Sequence, residues 1–153
     1  MMTLPQWLEA YDESHRHPFN IAMHKLCVPL IVLSLLGMLM ALPGPLPWAW
    51  LAVLAGVAWY WRLSRQAALV MALLCSVALL LLTAAQSAGW PLGYLSLLVF
   101  ALAWVGQFVG HAREGRKPSF TQDLQFLLIG PLWTLRALWL RLGLIDRETP
   151  TKP

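Results

Sequence analysis

Charge is scarce in this chain. Asp, Glu, Lys and Arg make up 12% of its 153 residues, about half the roughly 25% usual in soluble domains. That scarcity excludes a surface facing water on all sides. The apolar residues, 59% of the total with a mean hydropathy of +0.62, must in large part face lipid. Cysteine is scarce too. Cys27 and Cys75 sit in apolar stretches without C-x-x-C spacing, which excludes a zinc ribbon and leaves two small buried hydrophobes. The net charge of +4 is small and scattered, so nucleic acid is excluded as a partner and the charges are read as topology signals. The first 25 residues mix acids, bases and aromatics, with neither an apolar leader core nor a small-residue cleavage site. The first span is therefore expected to insert uncleaved. There is no internal repeat and no low-complexity segment. Histidine is rare as well: His15, His17, His24 and His111 are the whole set.

What is present reads as an all-α integral membrane protein of one domain over residues 1–153. Residues 1–17 form an amphipathic N-terminal segment, with Leu4, Trp7, Leu8 and Tyr11 at helical spacing, expected to lie on the membrane surface. Residues 18–110 are expected to form a bundle of about four transmembrane helices. The spans are Leu26 to Leu42, Leu46 to Trp61, Ala67 to Ala85 and Leu92 to Gly110, separated by the Pro43–Pro47 turn, by Arg62 and Arg65, and by Gln86–Pro91. The second is short: 16 residues rise about 24 Å against a hydrocarbon core of about 30 Å. Nine Trp and three Tyr suit interfacial anchoring. Residues 111–153 are a cytoplasmic loop followed by an apolar segment, Leu124 to Leu144, that Gly130-Pro131 interrupts and that carries Arg136 and Arg141. It reads as a broken interfacial or re-entrant helix rather than a fifth span. The Pro43–Pro47 and Gln86–Pro91 loops carry no Lys or Arg, whereas Arg16, Lys25, Arg62, Arg65, Arg113, Arg116 and Lys117 lie on the opposite side. The positive-inside rule then makes both termini cytoplasmic, in a cell membrane.

Four crossings return the chain to its starting side, so His15, His17 and His24, just before the first span, can meet His111, just after the last. A helix starting near Pro18 puts Asn20 and His24 on one face, with His17 at its edge and His15 on the preceding segment. Gln107, His111 and Glu114 share a face of the last helix, where Gly106 and Gly110 leave room for a close neighbour. Imidazoles suit iron, zinc and copper, and each ligating ring usually donates its other N–H to an acceptor. Asn20, Gln107, Glu114 and Asp12 are the available side-chain acceptors. Histidines at a membrane interface are also commonly just solvated, and His17 is accounted for by a helix-cap role. Arg113, Arg116 and Lys117 are most simply topology determinants, with Arg113 and Lys117 as candidates for holding an anionic headgroup.

The pattern Tyr11…His15-x-x-Pro18-x-Asn20-x-x-x-His24-x-x-x-x-Pro29, with the later Trp104-x-x-Gln107-Phe108-x-Gly110-His111-x-x-Glu114-x-x-x-Pro118, resembles the membrane-embedded 2-hydroxy fatty acid dioxygenases. These are the relatives of the yeast protein that breaks phytosphingosine down to odd-numbered fatty acids. The similarity runs from about Trp7 to Trp133. It implies a fold of transmembrane helices and an Fe(II)-dependent alpha-oxidation in which O2 cleaves the C1–C2 bond of a 2-hydroxy fatty acid, leaving an acid one carbon shorter. It also implies that His15, His24 and His111 are the metal-binding and catalytic residues, with Asn20, Gln107 and Glu114 beside them; His17, where the family pattern is looser, is kept as a candidate fourth ligand on its position alone. Two other readings stand next to it. A zinc-dependent membrane lipid hydrolase would use the same imidazoles with Glu114 as general base. A lipid-binding membrane protein without enzymatic activity would need none of them.

Overall fold

The computed structural model describes residues 2–115, 125–141 and 143, and those residues are helical apart from turns and caps. Among the described residues seven helices follow in order: α1 (Leu4–Asp12), α2 (Pro18–Ala41), α3 (Trp48–Leu63), α4 (Arg65–Ser87), α5 (Leu92–Glu114), α6 (Phe126–Thr134) and α7 (Arg136–Arg141).

The α2/α5 pair is the spine of the molecule. The two run antiparallel along their full length. Gly93 faces Ala41 at one end, Gly106 faces Cys27 further along, and Gly110 faces Asn20 at the other end. A Cβ at Gly106 would fall 2.6 Å from the Cys27 Sγ, so the absent side chains at Gly106 and Gly110 allow this approach, as in small-residue contacts between membrane helices. The α3/α4 hairpin packs beside them. Its far half joins a hydrophobic cluster of Leu36, Ala49, Val53, Leu79 and Leu92. Its near half joins a second cluster in which Tyr60, Ala67 and Met71 meet α1 and α6. The outward faces of α4 and α5 remain apolar: Leu73, Leu80 and Leu102 are more than 60% exposed, as lipid-facing positions require.

Among the described residues three helices, α2, α4 and α5, are long and apolar enough to cross a membrane. The expected fourth span, α3, runs between the two clusters but has 16 residues, about 24 Å of rise against about 30 Å of hydrocarbon, and falls short by length.

Two expectations are corrected. The apolar face of α1 does not rest on the membrane surface. Leu4, Trp7, Leu8 and Tyr11 are all buried, packed in one cluster with Phe126 and Trp133 of α6. Docking between two short apolar elements buries both faces within the protein, and a sequence pattern cannot distinguish that from docking on lipid. The C-terminal segment is broken, but at Leu135 rather than at Gly130-Pro131, which lie inside α6. Gly130 instead admits the Tyr11 hydroxyl, which would stand 3.1 Å from a Cβ there. Leu124 and Leu144 lie outside the described residues. At 9 and 6 residues, α6 and α7 are each too short to cross.

Candidate metal centre

The site is built where α2 begins and α5 ends. Pro18 opens α2 and His17 caps it, its Nδ1 accepting the Phe19 N–H at 3.2 Å. The extended backbone at His17 turns the preceding segment back across the helix and brings His15 over His24, one turn beyond Asn20. The antiparallel partner delivers His111. Gly110 is needed for this: a Cβ there would lie 2.5 Å from the Asn20 Oδ1 and 3.2 Å from the Met23 Cβ.

His15, His24 and His111 are 3%, 2% and 4% exposed, and one nitrogen of each lies within 4.8 Å of the others. Their ring centroids are 4.1, 5.0 and 4.9 Å apart. The hydrogen bonds fix two of the tautomers. The His15 Nδ1 is 2.5 Å from the Tyr11 carbonyl oxygen, and the His24 Nδ1 is 3.1 Å from the Asn20 carbonyl oxygen. A carbonyl oxygen only accepts, so each Nδ1 carries the ring proton and each Nε2 presents a lone pair. Those two Nε2 atoms are 2.9 Å apart. Two lone pairs at that distance in a buried site repel unless a proton or a cation lies between them. Burial is the main cause that pushes the His15 pKa down to about 4, so at neutral pH this ring stays uncharged, the form that ligates metal.

The donor set therefore fits a metal ion: neutral, buried imidazoles with their far nitrogens tied to main-chain acceptors. Two nitrogens each about 2.1 Å from a shared ion lie about 3.0 Å apart at a right angle and about 3.4 Å apart at a tetrahedral angle; the 2.9 Å spacing is nearer the first. Aromatic rings wall the cluster. Tyr11 stacks on His15 at 4.1 Å with the planes 3° apart, and Trp133 stands 5.1 Å from it. Burial raises the Tyr11 phenol well above its ordinary range, so it stays protonated. Asp12 holds this wall in place by accepting the Trp133 Nε1–H at 2.6 Å and pairing with Arg136. Beside the rings lies a cavity of about 60 Å³, lined by His24, Gln107 and His111 on its polar side and by apolar groups elsewhere.

Residues 1–142 match the family described as 2-hydroxy-palmitic acid dioxygenase Mpo1-like. The chain belongs to the Mpo1-like family. No curated protein and no solved structure matches it.

In this Mpo1-like chain the other residues singled out by sequence have varied positions. His17 is exposed, caps α2 through its Nδ1, and is not among the three clustered imidazoles. Glu114 reaches across from α5 to the start of α2. Its carboxylate accepts the Arg16 N–H at 3.0 Å, the His17 N–H at 2.8 Å and the Asn20 Nδ2–H at 3.2 Å, which places a negative charge at the positive end of α2. Asn20, fully buried, also donates to the Ser14 carbonyl at 3.2 Å. Together they clamp the loop that carries His15. The ring acceptors of His15 and His24 are main-chain carbonyls rather than the expected side chains of Asn20, Gln107, Glu114 or Asp12. Gln107, 4% exposed, lines the cavity, and its Nε2 has no hydrogen-bond partner among the described residues. Arg113 is exposed over the Phe19 ring at 5.7 Å, outside the cavity lining, and Lys117 lies outside the described residues. Sequence reasoning gave no role to the Tyr11 and Trp133 walls. The aromatic residue four before His15 was the available signal for the first; nothing local marks the second.

Proposed function

We propose that this protein is an Fe(II)-dependent dioxygenase that cleaves the C1–C2 bond of a 2-hydroxy fatty acid with O2, releasing C1 as CO2 together with water and an acid one carbon shorter. His15, His24 and His111 hold the iron. The observation that carries the reading is the facing pair of Nε2 lone pairs, 2.9 Å apart, inside a buried triad of a chain whose family is described as a 2-hydroxy-palmitic acid dioxygenase. Iron bound there supplies the redox chemistry that O2 needs to react with a closed-shell acid. The protein supplies the rest. The main-chain carbonyls of Tyr11 and Asn20 hold the rings in the ligating tautomer. Tyr11 and Trp133 exclude water. The Gln107 amide, buried without a partner, donates to the carboxylate of the incoming acid, which satisfies a donor that is costly to leave unmade. The site lies at the end of the bundle where α2 begins, at the cytoplasmic surface by the charge distribution, so the acyl tail stays among apolar helices while the head reaches the metal.

The donor set alone suits zinc as well as iron. A zinc hydrolase, however, would need Glu114 as general base, and the Glu114 carboxylate already accepts from two backbone N–H groups and Asn20. The test is turnover by protein purified in detergent and loaded with Fe(II). Supplied with 2-hydroxyhexadecanoate and O2, it is expected to form pentadecanoate and consume O2, while zinc-loaded protein is inert. Ester hydrolysis by the zinc form without O2 consumption would contradict the proposal.

A further inference from the structure

We propose that the apolar groove between α2, α4 and α6 is the acyl-chain channel of this site, and that its far end at Ala78 gauges chain length. This rests on reading the site as one that takes a fatty acid. The cavity beside the histidines, about 60 Å³, is several times the roughly 10–15 Å³ that holds one water and has room for a carboxylate and hydroxyl head. A second hollow of about 350 Å³ shares two of its lining residues, Val32 and Pro131, with that cavity. Its volume lies within the range of about 300–1,000 Å³ typical of small-molecule sites.

The chemistry of the groove selects hydrocarbon. Leu33, Met71, Leu74 and Ala78 form half of the remaining wall, and Cys75 adds a weakly polar thiol. The Thr134 hydroxyl is the one alcohol in the lining, and it donates to the Pro131 carbonyl at 2.8 Å. The two ends are also unequal. At the histidine end the cavity holds the unpartnered Gln107 amide, a donor for an anionic head. From Met71 to Ala78 the groove follows α4 away from the site for about 10 Å. A ligand with one polar end and a long tail fits this gradient in only one direction: head at Gln107, tail between Val32 and Pro131, chain end toward Ala78.

The test is binding without turnover. Full-length protein in detergent, kept free of O2, is titrated with 2-hydroxyhexadecanoate and 2-hydroxydecanoate by displacement of a fluorescent fatty acid. Ala78→Phe is expected to weaken the long acid by about tenfold, because a few methylenes lose their apolar contacts, and to leave the short acid unchanged. Ala78→Leu and Ala78→Val shift it less in the same order, which keeps the test available where the Phe variant does not fold. Leu102→Phe, on the exposed face of α5, leaves both acids unchanged. An equal effect on both chain lengths, or none on the long acid, overturns the channel. Length-dependent binding without any shortened product in the aerobic, iron-loaded assay would keep the channel and overturn the dioxygenase reading. Turnover by wild type with no length dependence in the Ala78 series would do the reverse.

Discussion

A His24→Ala variant is expected to lose both stoichiometric metal and turnover. Its Nε2 stands 2.9 Å from that of His15, and without it the site keeps two imidazoles. Losing a group that merely orients a ligand typically costs about 10–100-fold in metal affinity or activity; losing a ligand costs more, so product formation should fall by at least about 100-fold. Stability gives an independent readout. Iron at 100 times its dissociation constant should stabilise the wild type by about 2.7 kcal/mol, and that increment should vanish in the variant. His17→Ala is the internal control. It removes a helix cap worth about 1 kcal/mol and should leave metal content at one ion per chain. Equal loss of metal in both variants would show that the response is to damage at the start of α2 rather than to loss of a ligand.

Glu114→Ala is expected to have the next largest effect, and its pattern separates two roles. The carboxylate bridges α5 to the backbone of Arg16 and His17 and to Asn20, next to the residue that carries the first imidazole. Without it the loop is released, and metal affinity should fall by about 10–100-fold. Turnover should return toward wild type when iron is raised enough to refill the site. Glu114→Gln keeps an acceptor oxygen without the charge at the helix N-terminus and should fall between the two. A general base would behave differently: saturating metal would not rescue Glu114→Gln. Metal titration of activity for wild type and both variants distinguishes a clamp from a base.

The local geometry of this site was legible in the sequence because it rests on helical spacing. Asn20 and His24 are four apart after a helix-starting Pro18, and Gln107, His111 and Glu114 follow the same period. The structure has each set on one face and brings the two ends together at Gly110. What was not legible depends on packing between distant elements. The acceptors of the histidine protons are main-chain carbonyls, which every residue has and no spacing reveals. Trp133 reaches His15 only because α6 docks on α1, and the apolar stripe on α1 fits a protein partner as well as a lipid one. Pro131 marked a break by its chemistry, yet the chain runs helically through it, and the neighbouring Gly130 leaves room for the Tyr11 hydroxyl. The expected role of Arg113 followed from charge alone, and in the structure its guanidinium lies over Phe19.

The central claim is that a single iron ion is shared by His15, His24 and His111. Anomalous scattering across the iron edge, from crystals of protein purified without added metal, tests it most directly. The account predicts one iron peak between these rings, within about 2.1 Å of a nitrogen from each. A zinc edge at that position, or a peak bonded to fewer than three of these imidazoles, would contradict it.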